Sequence, residues 1–251
     1  MGEWFEDESL WREIYPVLFP EERFHRREEE IPKVLALAGL PEATDAVALD
    51  LCCGPGRHAV PLARRGLRVT AVDRTHFLLN RARERAQLAG LTIEFVESDM
   101  REFQRPAGFD LALSLFTSFG YFDAHEEDLQ VLRNVHRSLR PRGVLVMDMA
   151  GKEWLARHFE PTRSRTLEDG SLFIDRCRVI DDWSRVENEW ILIKDGRART
   201  FRLRLNVYSG QKLRDRLLQA GFARVDLYGN LDGAPYDREA SRLIAVARAA
   251  G

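Results

Sequence analysis

The chain has 251 residues, 45% of them hydrophobic and 31% charged, with a formal net charge of −2. That length holds one sizeable core with room for an insertion, and the near-neutral charge excludes a global field for nucleic acid or an anionic membrane. No apolar run approaches ~18 residues, the start is acidic and aromatic (Glu3, Trp4, Phe5, Glu6, Asp7), and three cysteines make no disulfide framework, so a cytoplasmic protein with no membrane partner is expected.

Residues 8–40 read as helical, with Pro16, Pro20 and Pro32 expected to break the segment into pieces. Strands then alternate with helices: strands at 47–51, 67–72, 92–96, 109–115 and 144–149, helices at 57–65, 77–88 and 126–139. Gly66 and Gly90 follow two of the helices, where helix ends prefer glycine. In the third helix Leu129, Leu132, Val135 and Leu139 recur at three- and four-residue spacing. This alternation predicts an α/β fold with a doubly wound, mostly parallel sheet.

From about residue 164 to 207 the rhythm changes to strand-like runs at 172–180, 186–193 and 200–207, with turns at Asp181-Asp182 and Asp195-Gly196. In the last run Phe201, Leu203, Leu205 and Val207 share one face and Arg202, Arg204 and Asn206 the other. This predicts an inserted antiparallel sheet with one wet face. A helix at 211–220 and strands near 225–228 and 242–247 complete the main sheet. The expected organisation is an N-terminal helical lid at 1–40, a cofactor-binding sheet domain at 41–150 and 208–251, and an inserted β subdomain at 151–207.

Chemistry concentrates at Asp50-Leu51-Cys52-Cys53-Gly54-Pro55-Gly56-Arg57-His58, a strand ending in a glycine turn that opens a helix. The spacing Gly54-x-Gly56-x-x-Ala59 also fits a dinucleotide site, so an NAD(P) oxidoreductase is an alternative. Against it stand Asp50 inside the first strand, the long helical preface and a second acid, Asp99, after the third strand. Asp73 and Asp99 at the ends of adjacent strands suit a ligand with a ribose diol and an exocyclic amine, because an ionised carboxylate only accepts hydrogen bonds. Asp73 is expected at the ribose, Asp99 near the adenine amine, and Met100 against the ring. Cys52, Cys53 and Cys177 lack metal-ligand spacing, so no metal is expected.

Residues 47–149 resemble the class I, Rossmann-like S-adenosylmethionine-dependent methyltransferases. The resemblance rests on D-L-C-C-G-P-G-R-H, on Asp73 closing V-T-A-V-D, on Asp99-Met100, and on F-D-L-A-L-S-L-F-T-S-F-G-Y-F at 109–122. It departs at Cys52, where the family usually has glycine. The resemblance implies a seven-stranded sheet with its last strand antiparallel and S-adenosylmethionine across the strand ends. It places Tyr15, Asp50, Cys52, Gly54 and Gly56 at the cofactor, together with Asp73, Arg74, Asp99, Met100 and Leu115. The inserted sheet is similar to that of glycine N-methyltransferase-like and amino-sugar N-methyltransferase-like enzymes, where it serves substrate binding or subunit contact.

The expected reaction is methyl transfer to nitrogen or oxygen of a small molecule, with positioning as the main catalytic contribution. Tyr121 and His125 are the catalytic candidates, although His125 also fits a plain helix start. Phe119, Tyr121, Trp183 and Tyr208 are the acceptor-site candidates, and Trp190 is read as core. Of Trp11, Tyr15 and Phe24, Tyr15 is the one expected over the cofactor. An RNA or tRNA methyltransferase and a non-catalytic S-adenosylmethionine-binding regulatory protein remain alternatives, and the chain is expected to be a monomer or a homodimer through the inserted sheet.

Overall fold

A computed structural model describes residues 3–42 and 45–251, apart from the side chains of Arg26 and Arg27. Residues 1 and 2 of the expected lid, and 43 and 44 of the expected sheet domain, lie outside the described residues. A short 3-10 turn at Trp4–Glu6 leads into α1 (Glu8–Leu18) and α2 (Glu21–Ala38). Asp7 caps α1, its carboxylate accepting from the Ser9 and Leu10 backbone N–H groups. Only Pro20 separates these helices, which run on through Pro16 and Pro32. The broken helix expected at those two prolines does not occur. Each lost backbone bond and ring clash costs about 3 kcal/mol, and burial of Ile14 and Val17 in α1, and of Ile31, Val34 and Leu35 in α2, offsets it.

The alternating region forms β1 (Val47–Leu51), α3 (Ala59–Arg64), β2 (Arg68–Asp73), α4 (His76–Leu88), β3 (Glu94–Glu97), β4 (Phe109–Ser114), α5 (His125–Ser138) and β5 (Leu139–Met149). After α6 (Lys152–Arg157) come β6 (Thr162–Thr166), β7 (Leu172–Ile180), β8 (Arg185–Lys194) and β9 (Arg197–Asn206). The chain closes with α7 (Gly210–Gln219), β10 (Arg224–Tyr228) and β11 (Leu243–Arg248). Strand β5 starts at Leu139 rather than at 144, absorbing Pro141 and Gly143 where its register against β4 shifts.

The main sheet has seven strands in the order β10-β11-β5-β4-β1-β2-β3. Strand β11 is antiparallel to β5 and β10, and the other pairings are parallel. One face buries Phe109, Leu145 and Met147 with Leu129, Leu132 and Val135 of α5 and Leu213 and Leu217 of α7. The other buries Ala71, Leu111 and Val146 with α2, α3 and α4. This is the doubly wound Rossmann-like architecture, and its strand ends gather the glycine turn and both acids on one edge.

Strands β6–β9 form a separate antiparallel sheet. The alternation in β9 is as expected at Phe201 and Leu203, which are buried, and at Arg202 and Arg204, which are exposed. The apolar face is covered by α1, with Leu10 and Ile14 against Phe201 and Leu203, and Val17 against Phe173 and Leu192. The outer face carries charge ladders, Glu187 between Arg178 and Arg204 and Glu189 between Arg176 and Arg202. Asn206 departs from the wet face. It is buried because its amide donates to Phe122 O and Asp128 Oδ2, both at 2.8 Å.

Candidate active site

After β1 the backbone turns left-handed at Cys52, Gly54 and Gly56, with φ of 58°, 54° and 82°. A Cβ on Gly56 would stand 3.1 Å from Ala82 Cβ, so glycine both permits the conformation and lets the turn approach α4. Asp73, at the end of the neighbouring β2, clamps this turn. Its Oδ2 accepts from Gly54 N and its Oδ1 from Thr75 N, each at 2.9 Å. Burial pushes the Asp73 carboxyl up, while those two N–H groups pull the other way. The Thr75 side chain donates as well, and the remaining acceptor capacity of the carboxylate is open to a ribose hydroxyl.

Beyond β3, Asp99 is gripped by Arg101, whose Nε and backbone N meet Oδ1 at 3.1 and 2.8 Å and whose Nη2 meets Oδ2 at 2.8 Å. Burial opposes ionisation of Asp99, but Arg101 outweighs it and holds the carboxyl below its ordinary value. Arg101 also reaches Glu3 and Glu127 at 2.8 Å. Cys52 Sγ lies 3.5 Å from Met100 Sδ, so the cysteine in the glycine position turns its thiol toward Met100.

After β4, Phe116 and Thr117 have φ of 63° and 60°, a conformation that costs a non-glycine residue about 1–2 kcal/mol. Asp148 of β5 holds this strained turn. Its carboxylate accepts from Phe116 N at 3.3 Å and its carbonyl from Thr117 N at 2.8 Å. Arg242 donates to Asp148 Oδ1 at 2.6 Å and to Thr117 Oγ1 at 3.3 Å. Consecutive strained residues on a cavity wall mark a site whose shape is fixed by its surroundings.

The two turns and both acids open on one cavity of about 270 Å³. Of the residues expected at a site, it brings together Cys52, Gly54, Asp73, Arg74, Asp99, Met100, Leu115 and Tyr121. The N-terminal segment closes it with Trp4, Phe5, Trp11, Leu18 and Phe19, and the second sheet adds Trp190, Leu203 and Leu205. Two ion pairs hold that cover down, Glu3–Arg101 at 2.8 Å and Glu6–Arg74 at 2.7 Å.

Seven expected site residues stand away from the cavity. Tyr15 lies between Phe19 and Phe77, 5.2 and 5.6 Å from their rings, and Phe19 takes the lining position instead. Asp50 is buried beneath the turn, where its carboxylate accepts from the Ala59 N–H at the start of α3 while Oδ2 has no partner. Burial raises its pKa to about 7. Gly56 faces α4. Phe119 is core, its ring 5.4 Å from that of Tyr208. Tyr208 is fully buried and donates to Asp128 Oδ2 at 2.6 Å. Trp183 is 40% exposed in the left-handed turn between β7 and β8, remote from the lining. His125 is the first residue of α5, with Nδ1 buried and no partner, and burial followed by the Lys212 charge lowers its pKa.

Arg57, Phe116, Trp190, Leu203, Leu205 and Arg242 line the cavity without having been expected there. The β9 alternation did mark Leu203 and Leu205 as inward-facing; what lay opposite them was not local information. Trp190 combines its expected core contact, 6.0 Å from Phe173, with a place on the wall. Arg242 gave no local signal, since the cavity is reached only through antiparallel pairing of β11 with β5. Among the described residues no group of three or more His, Cys, Asp or Glu is placed to hold a metal ion.

Residues 48–143 match the family model described as a methyltransferase domain. Those residues form a methyltransferase domain. A putative methyltransferase of Bacillus subtilis is 31% identical over 155 residues, covering 59% of this chain and 62% of that protein, so the match spans under two thirds of that relative's length. A glycine/sarcosine N-methyltransferase of Halorhodospira halochloris is 24% identical over 79% of this chain and 74% of its own. Among solved structures, an S-adenosylmethionine-dependent methyltransferase of Clostridium acetobutylicum superposes with a TM-score of 0.78 at 14% identity, covering 97% of each chain. The S-adenosylmethionine-bound amino pentose methyltransferase CalS10 of Micromonospora echinaspora gives 0.68 at 21% identity, covering 95% of this chain and 96% of that one. These last two are similar in fold. S-adenosylmethionine is the family's cofactor, and the Gly54 turn with Asp73 and Asp99 presents the acceptors and backbone room that it needs.

Proposed function

We propose that this methyltransferase moves the methyl group of S-adenosylmethionine onto a nitrogen or oxygen of a small molecule enclosed in the cavity. The observation that carries the reading is the convergence of Asp73, Asp99 and the Gly54 turn on one space closed by Trp4, Phe5 and Phe19. When bound, the sulfonium supplies an already activated methyl carbon, so the protein's task is alignment at near-attack distance and exclusion of water.

In this reading Asp73 receives the ribose hydroxyls, Asp99 lies near the adenine amine, and Met100 covers the ring. Arg74 holds the cover through Glu6, and residues 3–40 act as the lid. The second sheet serves the acceptor end. Tyr121 lies at 4.9 Å from the Trp4 ring and orients the acceptor. Burial pushes its hydroxyl well above the ordinary tyrosine value, which keeps it a hydrogen-bond donor rather than a base.

The test is calorimetric titration with S-adenosylhomocysteine, then a panel of amines and hydroxyl compounds assayed for its release from S-adenosylmethionine. Saturable binding lost in Asp73→Ala, with turnover on some member, supports the proposal. No binding to the wild-type chain sinks it.

A further inference from the structure

Resting on the reading just given, we propose that the methyl acceptor is an uncharged, apolar ring compound, and not an amino sugar, an amino acid or any other ammonium-bearing amine. Once the strand-end residues of the donor side are set apart, the rest of the wall is chiefly Trp4, Trp11, Phe116, Trp190, Leu203 and Leu205. Apart from the Tyr121 hydroxyl and the Trp190 indole N–H, the polar side-chain atoms at this end are committed to the protein. Trp4 Nε1 donates to Arg204 O at 3.1 Å and Trp11 Nε1 to Phe5 O at 2.9 Å, so these indoles offer ring faces. Ser118 Oγ donates to Leu115 O at 2.8 Å, and Thr117 Oγ1 accepts from Ala150 N at 3.2 Å and from Arg242.

The charges on the wall also disfavour a cationic acceptor. Arg242 is neutralised by Asp148 at 2.6 Å. Arg57 follows the glycine turn and lies over the Phe116 ring at 4.1 Å, a cation that adds to the penalty for an ammonium at this wall. The carboxylates on the described wall are Asp73 and Asp99, both at the donor's strand ends. An ammonium group in the acceptor end would be buried without a carboxylate partner, and the several hydroxyls of a sugar would lose water with two donors, Tyr121 and the Trp190 indole, to replace it, each a costly transfer. A flat neutral ring loses little and gains the indole faces.

The experiment is calorimetric titration of the S-adenosylhomocysteine-saturated protein with 2-naphthol, 2-naphthylmethylammonium, 2-naphthoate, glucosamine and glycine. The expected result is binding of 2-naphthol at least tenfold tighter than that of any charged or sugar probe. Trp190→Ala should weaken 2-naphthol at least tenfold and leave the affinity for S-adenosylhomocysteine within twofold. Equal or tighter binding of the ammonium, glucosamine or glycine overturns the inference, and so does a 2-naphthol affinity unmoved by Trp190→Ala. Failure of S-adenosylhomocysteine itself to bind counts against the donor reading instead, and the same probes titrated without it still decide the acceptor class.

Discussion

Tyr208 donates its hydroxyl to Asp128 Oδ2 at 2.6 Å in the interior, and Asn206 reaches the same oxygen at 2.8 Å. The pair joins α5 to the chain leaving β9. Through Asn206 it also fixes Phe122 O, one residue from Tyr121 on the cavity wall. The second sheet is thus tied to the first by a hydrogen-bonded core contact as well as by α1.

Tyr208→Phe removes one buried donor and leaves Asp128 with Asn206 alone among those two. It should lower stability by about 1–3 kcal/mol. Urea unfolding measures this directly. A midpoint within error of the wild type would show that the hydroxyl contributes nothing.

Asp50 supplies a pH test. Its folded pKa is raised to about 7 by burial, so the folded state binds a proton that the unfolded state has released from about pH 4 upward. Wild-type stability from this group therefore falls as pH rises from about 4 to 7. Asp50→Asn keeps an acceptor for Ala59 N–H and carries no charge. Relative to the wild type it should gain on the order of 2–4 kcal/mol between pH 4 and pH 8. A difference in unfolding free energy that stays constant with pH would contradict the assignment.

Asp73→Asn should weaken S-adenosylhomocysteine at least tenfold in calorimetry, because an amide brings a donor where the ribose hydroxyls require an acceptor. The same change disturbs the grip on Gly54 N and Thr75 N, so the thermal midpoint should fall by several degrees. Unchanged affinity would remove the ribose role while leaving the turn-clamping role intact.

Arg101→Ala cuts the bonds to Glu3, Asp99 and Glu127 together. The N-terminal cover should open more often, and limited proteolysis ahead of α1 should speed up several-fold. S-adenosylhomocysteine should slow that cleavage in the variant. Cleavage at the wild-type rate would mean that the apolar contacts of Trp4 and Phe5 hold the cover alone.

The main sheet was legible in the sequence because its signals are local: apolar strands, Gly66 and Gly90 after helices, and an acid ending β2. The strand-end wall of the cavity, where the donor is proposed to lie, followed from the same signals, since Gly54, Asp73, Asp99 and Met100 all sit at strand ends. The opposite wall did not. Leu203 and Trp190 reach it only because α1 folds over β9, a contact spanning most of the chain. Tyr208 and Trp183 misled for one reason: an aromatic in a β insert looks alike whether it fills the core, lines a cavity or sits in a turn. Asp148 and Arg242 were silent because their meeting depends on an antiparallel register. β6 was missed as well, and its residues Thr162–Thr166 are all exposed, leaving no apolar alternation to read.

The cover has a consequence for the order in which the molecule is completed. Trp4 Nε1 bonds to Arg204 O across 200 positions, and Arg165 bonds to Val17 O across 148. The Trp4–Glu6 turn therefore waits until β9 has been made before it finds its seat, whereas the strands of the main sheet can pair as they emerge. A nascent chain halted before β9 carries Gly54, Asp73 and Asp99 with the roof still off, and the enclosure forms only once β9 is in place.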